Sequence, residues 1–179
     1  WNNVFSQYNA TEGLDRKDYP ELPHKNIDTG MGLERMCCIL QEVETNFDTD
    51  LFMPIIKKIE EISKTLYHGQ MAYKVISDHV RALTFALSDG ASFGNTGRDY
   101  VLRRLLRRAV RYGKILEIND PFMSNLVEVV VDIMKDAYPD LEANINTIKY
   151  KINQEEELFR RTLANGEKRL SEIIENSKD

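Results

Sequence analysis

Four residues within a nine-residue segment are suited to holding a nucleotide. In IDTGMGLER, residues 27–35, Asp28 supplies a carboxylate, Gly30 and Gly32 leave the backbone without side chains, and Arg35 supplies a guanidinium. The two glycines match the start of the dinucleotide-binding pattern G-x-G-x-x-G, but an arginine stands where the third glycine belongs. From its residues alone the segment is open to three interpretations: an incomplete dinucleotide loop, an ordinary turn, or a different way of holding a nucleotide.

A second candidate region is the basic stretch from Arg98 to Lys114. It carries six Arg and one Lys against one Asp, a net charge of +6, whereas the whole chain carries −5 and the remainder therefore −11. The arginines repel one another along the helix, and the only acidic residue of the stretch one helical turn from an arginine is Asp99. This favours a polyanion partner over a merely solvated bundle face. At about 100° per residue, Leu102, Leu105, Leu106 and Ala109 share one face, and Arg104, Arg107, Arg108 and Arg111 lie opposite.

Residues for acid–base, nucleophilic or metal chemistry are sparse. The three histidines are scattered, and His79, which follows Asp78 in a helical pattern, is interpreted as a bundle residue rather than a base. The adjacent Cys37 and Cys38 match no zinc pattern and are interpreted as small apolar helix residues whose thiols stay reduced. The sequence therefore shows no catalytic triad or dyad, and any chemistry would depend on positioning and charge.

The composition is that of a soluble globular protein. The chain has 179 residues, of which 42% are hydrophobic and 30% charged. No apolar run approaches the ~18 residues of a membrane helix, and no secretory signal is visible, so we expect a cytoplasmic protein without a membrane partner. Because the sequence starts at Trp1 rather than Met, we also expect a piece of a longer protein.

The first part of the chain predicts a small piece of β-sheet with one helix. Residues 1–9 are aromatic and β-branched and predict a strand, followed by a loop with Pro20 and Pro23 as breakers. A short strand at 27–29 and a helix from 33 to about 43 follow. This pattern indicates the end of an antiparallel sheet covered by a helix, with no βαβ unit for a dinucleotide fold.

The rest of the chain is helical in its periodicity. Thr96 followed by Asp99 resembles a capping box and predicts where the basic helix starts. In the last helix the charged runs EEE and RR are interpreted as a solvated face. The expected helices span residues 48–66, 72–90, 98–114, 120–138 and about 141–177, and the core stripe of the last comprises Ile148, Ile152, Phe159, Leu163, Leu170 and Ile174.

The chain resembles the alanyl-tRNA synthetases in six stretches that follow the family's order and cover nearly its whole length. These stretches are WNNVFSQYN, IDTGMGLERM, NFDTDLF, VISDHVRALTFALSDG, GNTGRDYVLRRLLRRAVRYGK and EEELFRRTLANGEKRL. The resemblance implies a mainly α fold: a helical bundle preceded by a C-terminal remnant, two antiparallel strands and a helix, of a class II synthetase α+β catalytic core. It divides the chain into 1–44, the end of that core, and 45–179, a domain that recognises the tRNA acceptor stem.

In this family DTGMGLER resembles motif 3 of the class II core. The resemblance assigns Arg35 to ATP and lets Gly30 and Gly32 admit the adenosine, while Asp28 pairs with the α-ammonium of alanine. In the implied reaction alanine attacks the α-phosphate of ATP, which acts with Mg²⁺, and pyrophosphate is released. The alanyl group is then transferred to the 3′ end of tRNA(Ala). No protein side chain is implied as an acid or base.

The helical part resembles the region that docks the tRNA acceptor stem. The resemblance assigns Asn95 to the G·U pair that identifies tRNA(Ala), and six arginines to the RNA. Two departures from the family pattern flank Asn95: Phe93-Gly94 replaces a usual Pro-Ser, and Asp99 replaces a usual Gly. The implied RNA-binding arginines are Arg98, Arg103, Arg104, Arg107, Arg108 and Arg111.

The resemblance also implies what this chain does not contain. Motifs 1 and 2 would precede it, while the editing domain with its zinc site and the oligomerisation region would follow it. We therefore expect that these 179 residues alone neither activate alanine nor edit, and that they hold no metal site. The alternatives are an RNA-binding helical module with no catalytic role of its own, and a purely structural bundle.

Overall fold

The computed structural model describes residues 2–176 and confirms the mainly α fold class with a two-stranded antiparallel sheet. The expected strand position of Trp1 and the helix end at Ser177 lie outside the described residues. The chain forms two compact units, which comprise residues 1–49 and 50–179. The elements are β1 (Asn2–Tyr8), β2 (Glu21–Gly30), α1 (Leu33–Leu40), α2 (Met53–Ser63), α3 (Met71–Ser88), α4 (Gly97–Ile115), α5 (Met123–Met134) and α6 (Asp140–Asn176).

Strand β2 is longer than its sequence predicted. It pairs with β1 in regular antiparallel register from Asn2↔Gly30 to Ser6↔Asn26, and an irregularity then shifts the register before Tyr8. Pro23 was expected to break the chain before the strand, but it lies inside β2 within this irregular part. A residue without an N–H is tolerated there because the regular ladder is interrupted and the sheet has only edge strands.

Helices α1 and α2 are shorter than expected because a separate turn lies between them. Helix α1 ends at Leu40, and Glu42 follows in the left-handed region with φ +53°. Asp48 was expected to open the next helix, but its carboxylate accepts hydrogen bonds from the N–H and hydroxyl of Thr45, at 3.1 and 2.6 Å. These bonds close a 3₁₀ turn at Asn46–Asp48, and α2 begins only at Met53.

The second unit is a helical bundle with α3 at its centre. Helix α3 packs against α2, α4, α5 and α6, and ten of its eighteen residues are buried, so it has little solvated face. His79 is among them, as its interpretation as a bundle residue predicted. Among the described helices none is long and apolar enough to cross a bilayer.

Helix α5 begins at Met123, later than the Asp120-Pro121 pair suggested. Its first N–H groups are satisfied by another helix: the carboxylate of Glu156 on α6 accepts from the N–H of Phe122 and of Met123, at distances of 3.0–3.3 Å. A helix start can move when a partner outside the local sequence supplies the cap.

The core stripe predicted for α6 is correct only in its first half. Ile148 and Ile152 are fully buried, but Leu170 and Ile174 are 57% and 49% exposed. The prediction was wrong there because the 37-residue helix keeps its periodicity beyond the residues that the bundle buries. Phe159 and Leu163 are half-buried.

The interpretation of EEE as a solvated face was also wrong for two of its three residues. Glu155 and Glu156 are only 5% and 0% exposed. Each is held by groups from elsewhere in the bundle, which offsets part of the cost of burying a carboxylate.

Candidate functional site

The IDTGMGLER segment forms a strand, a turn and a helix. Asp28 lies in β2, Gly30 ends that strand, Gly32 precedes the first residue of α1 and Arg35 lies in the first turn of the helix. The side chains of Asp28 and Arg35 are exposed. One carboxylate oxygen of Asp28 accepts the N–H of Thr29 at 2.8 Å.

Neither glycine of the segment is required by the conformation of the chain. Both lie outside the positive-φ region, and Gly32 has φ −64°. A Cβ atom at Gly30 would meet nothing within 4 Å, and one at Gly32 would meet the Arg35 side chain at ordinary contact distances of 3.8 and 3.9 Å. Neither turn geometry nor crowding by described residues therefore explains these two glycines. Glycine also loses more conformational entropy on folding than alanine does, so its presence here has a cost.

The basic stretch forms α4 as predicted, and its arginines fall into two groups. Those of the first group project into solvent, and two of them stack on tyrosines of their own helix, with Arg104 over Tyr100 at 5.8 Å and Arg108 over Tyr112 at 5.9 Å. A shallow groove of about 390 Å³ runs along this surface. The exposed group comprises Arg98, Arg104, Arg108 and Arg111.

The second group, Arg103 and Arg107, is turned toward α6. One oxygen of Glu155 accepts two hydrogen bonds from Arg107, at 3.2 Å from Nε and 3.0 Å from Nη2. The same oxygen lies 3.0 Å from Nε of Arg103. That N–H is not aligned as a hydrogen-bond donor, so this contact is an ion pair. The acidic partner of α4 was missed from sequence because it lies 48 positions from Arg107, on another helix.

Asn95 lies in the loop before α4 and is exposed. Its Oδ1 accepts a hydrogen bond from Nη1 of Arg103. A guanidinium only donates, so this contact assigns the oxygen of the amide to the Arg103 side and leaves the NH₂ group facing away.

Asp99 holds the loop that carries Asn95, but not by the capping box that was predicted. Thr96 has the extended conformation of an N-cap, with φ −138° and ψ 159°, yet its side chain makes no capping hydrogen bond. The carboxylate of Asp99 instead accepts from the Ser92 hydroxyl at 2.9 Å, and its backbone carbonyl accepts from the N–H of Gly94 at 3.2 Å. The helix start predicted at Thr96 is confirmed, but the capping-box hydrogen bonds were wrong because the upstream loop folds back onto the helix and engages Asp99.

Gly94 and Asp99, which the resemblance marked as departures from the family pattern, lie against each other. A Cβ atom at Gly94 would lie 2.7 Å from the Cβ of Asp99, closer than two carbon atoms can pack. A side chain at position 99 thus requires glycine at position 94.

Residues 2–176 contain no group of three or more His, Cys, Asp or Glu side chains arranged to hold a metal ion. Cys37 and Cys38 are free, and the thiol of Cys38 donates to the carbonyl of Val43. The described residues therefore present charge and hydrogen-bonding groups rather than a metal centre.

Comparison with known proteins identifies the family. The family model described as "tRNA synthetases class II (A)" matches residues 1–179. The chain belongs to the class II tRNA synthetases. Within this family it is 54% identical over 178 residues to the alanine–tRNA ligase of Acholeplasma laidlawii (strain PG-8A), with 99% of the chain covered.

Other synthetases named alanine–tRNA ligase match equally well. That of Lactococcus lactis subsp. cremoris (strain MG1363) is 53% identical over 99% of the chain, and that of Bacillus pumilus (strain SAFR-032) is 54% identical over 100%. The chain covers 21%, 21% and 20% of these three relatives. It therefore spans about a fifth of the length of the curated synthetases that it matches.

Proposed function

We propose that this chain is part of an alanine–tRNA ligase, which activates alanine with ATP and transfers it to tRNA(Ala). The observation that carries the proposal is the identity of 53–54% with proteins of that name across nearly the whole chain. In the proposal, residues 1–44 belong to the catalytic core and residues 45–179 dock the acceptor stem. The cytoplasmic location stays a prediction.

The ATP and alanine part of the proposal rests on the IDTGMGLER segment. Gly30 and Gly32 let the adenosine approach the backbone, which accounts for two glycines that the chain itself does not need. Arg35 binds a phosphate or stacks on the base through its exposed guanidinium, and Asp28 pairs with the ammonium group of alanine.

Catalysis in this proposal comes from positioning and charge stabilisation rather than from an acid or base. Alanine attacks the α-phosphorus of ATP, and pyrophosphate leaves. Mg²⁺ would act with the nucleotide by binding its phosphate oxygens and stabilising the charge on the leaving pyrophosphate.

The RNA part of the proposal rests on α4 and the loop before it. The exposed Arg98, Arg104, Arg108 and Arg111 bind phosphates, which fixes the position of the stem but does not read its sequence. Asn95 reads the G·U pair through its amide, which offers donors on one side and an oxygen with a second lone pair on the other.

Charge reversal of one exposed arginine tests the RNA face. We expect Arg108→Glu to weaken binding of an acceptor-stem hairpin and to lower the slope of log affinity against log salt by about one, because one phosphate contact is lost. Lys57→Glu is the matched control, since Lys57 is exposed on α2 and carries the same charge. Equal effects of the two variants, or none from Arg108→Glu, would contradict the proposal.

Removal of the motif 3 arginine tests the ATP site. In the whole synthetase, Arg35→Ala is expected to raise the ATP concentration needed for alanine-dependent pyrophosphate exchange, because the phosphate loses a charge-assisted partner. Arg16→Ala, which removes an exposed arginine of the same unit, serves as the control. An unchanged ATP requirement in Arg35→Ala would favour the alternative, an RNA-binding helical module without a catalytic role of its own.

A further inference from the structure

Glu155 is a buried carboxylate that joins α6 to the arginines of α4. Its side chain is 6% exposed, and the same oxygen lies 3.0 Å from Nη2 of Arg107 and 3.0 Å from Nε of Arg103. The side chain of Arg103 is itself only 16% exposed. Burying a carboxylate costs hydration, and here Glu155 offsets that cost by accepting two hydrogen bonds from Arg107 and by an ion pair with Arg103.

Arg103 connects this buried carboxylate to the RNA-reading loop. Its Nε lies 3.0 Å from Glu155 in an ion pair, and its Nη1 donates to Oδ1 of Asn95. The guanidinium is planar and rigid, so the ion pair at Nε restricts where Nη1 lies. The amide of Asn95 is therefore oriented by a group that lies on a different helix, 60 residues away in the chain.

We propose that Glu155 is a positioning residue for tRNA discrimination, which orients Asn95 through Arg103. The inference rests on the proposed function of Asn95 and adds to it a residue that does not touch the RNA. Arg107 completes the arrangement: it donates two aligned hydrogen bonds to Glu155 and lies over the ring of Phe159 at 5.3 Å. These contacts hold the shared oxygen in place.

Loss of the Glu155 charge would release this chain of contacts. Arg103 and Arg107 are one helical turn apart and would repel each other without the shared carboxylate. The Arg103 side chain would then turn toward water, and the amide of Asn95 would lose the partner that distinguishes its oxygen from its nitrogen. Both amide orientations would become populated, so the ability to tell one base pair from another would fall.

The test compares the affinity of the chain for two acceptor-stem hairpins that differ only in a G·U or a G·C pair. We expect Asn95→Ala to lower the ratio of the two affinities by about tenfold, the size of one good base-edge contact. Glu155→Gln, which keeps the size but removes the charge, is expected to lower it by a similar factor. In the double variant the second substitution is expected to cause no further loss, because both act on the same contact.

A second substitution guards against a variant that fails to fold. Arg103→Lys leaves Glu155 paired with Arg107, so the buried carboxylate keeps a partner, but a single ammonium group cannot span both Glu155 and Asn95. We expect it to lose discrimination as Glu155→Gln does, with a thermal unfolding midpoint close to that of the parent.

The neighbouring buried carboxylate supplies the control. Glu156 is fully buried on the same helix but contacts Arg160 and the start of α5. Glu156→Gln removes a buried charge from the same helix without touching Arg103 or Asn95, and is expected to leave the affinity ratio unchanged. If Asn95→Ala lowers the ratio but Glu155→Gln and Arg103→Lys do not, the positioning role is overturned while the reading role of Asn95 stands. If Asn95→Ala itself leaves the ratio unchanged, the reading role fails and the positioning role with it.

Discussion

At the residue scale, the basic helix contains two kinds of arginine that its sequence does not distinguish. Arg104 and Arg108 are exposed beside tyrosines, whereas Arg103 and Arg107 share the buried carboxylate of Glu155. The average charge of the helix overstates the charge available to a partner, because part of it is neutralised inside the bundle. Which arginines of α4 are available to a partner therefore depends on α6 as well as on α4.

The contact between Gly94 and Asp99 leads to a prediction about stability. We expect Gly94→Ala to lower the free energy of unfolding by ~1–3 kcal/mol, the usual cost of an added methyl group in a tightly packed place, because the new Cβ would lie 2.7 Å from that of Asp99. The measurement is denaturant unfolding of Gly94→Ala in the parent and in the Asp99→Gly background, where the penalty is expected to be smaller. In the Asp99→Ala background the clashing atom is kept, and so is the penalty.

Gly166 provides the matched control for this prediction. It lies in α6, and a Cβ atom there would meet nothing within 4 Å. Gly166→Ala is therefore expected to stabilise the chain by up to about 1 kcal/mol, the difference in helix propensity. If the penalty of Gly94→Ala were the same in all three backgrounds at position 99, the steric explanation would be wrong.

At the scale of elements, α6 acts through its polar residues as well as through its apolar ones. Glu155 binds α4, and Glu156 caps the start of α5. Arg160, one turn further on, donates to Glu156 and to the backbone carbonyl of Asn119. One turn of α6 thereby holds two neighbouring elements by charge and hydrogen bonding, beyond the apolar contacts of Ile148 and Ile152.

The buried Glu156 predicts a pH dependence of stability. Burial raises the pKa of its carboxyl above the ordinary 4.5, although hydrogen bonds from Met123 and Phe122 and the charge of Arg160 act in the opposite direction. The folded state then binds the proton more tightly than the unfolded state. The contribution of this group to the free energy of unfolding is therefore greatest at low pH and falls as the pH rises from 4.5 through the raised pKa.

Comparison with Glu156→Gln isolates this contribution, because glutamine does not ionise. We expect the difference in unfolding free energy, parent minus variant, to fall as the pH is raised from 4.5 toward neutrality. Denaturant titrations at several pH values measure it. A difference that rises over this interval would mean that the hydrogen bonds outweigh burial, and one that stays constant would mean that the pKa is the same in both states.

At the scale of the whole molecule, the two compact units differ in how much they bury. Strands β1 and β2 and helix α1 contain no fully buried residue, whereas α3 buries ten. Hydrophobic burial is the main favourable contribution to folding, so the bundle unit contributes most of the stability that the chain has by itself. The candidate ATP residues lie in the first unit, which contributes less of that stability.

This difference predicts unequal protection from hydrogen exchange. We expect the backbone amides of β2 in the 179-residue chain to exchange much faster than those in the middle of α3, because local opening costs less where little apolar surface is buried. Mass spectrometry of deuterium uptake after peptic digestion compares the two segments directly. Equal protection of β2 and α3 would show that the first unit is stabilised in a way its burial does not reveal.

The sequence alone determined the features that depend on local periodicity and on runs of like residues. These include the mainly α fold class, the position of the basic helix, the strand–turn–helix form of IDTGMGLER and the family to which its motifs point. Each is encoded within one stretch of chain, by apolar spacing, by glycine and proline or by an ordered set of motifs. The roles of Asp28, Arg35 and Asn95 stay predictions, since they depend on molecules that the chain does not contain.

Only the tertiary structure decided which polar residues meet. It placed Glu155 against Arg103 and Arg107, Glu156 at the start of α5 and Asp99 under the loop of Asn95. It also ended the core before Leu170, although the periodicity of α6 continues. Many charges and caps are satisfied by groups distant in the chain. Two glutamates of the EEE run therefore look solvated in sequence but are buried, because arginines of α4 and N–H groups at the start of α5 meet their carboxylates.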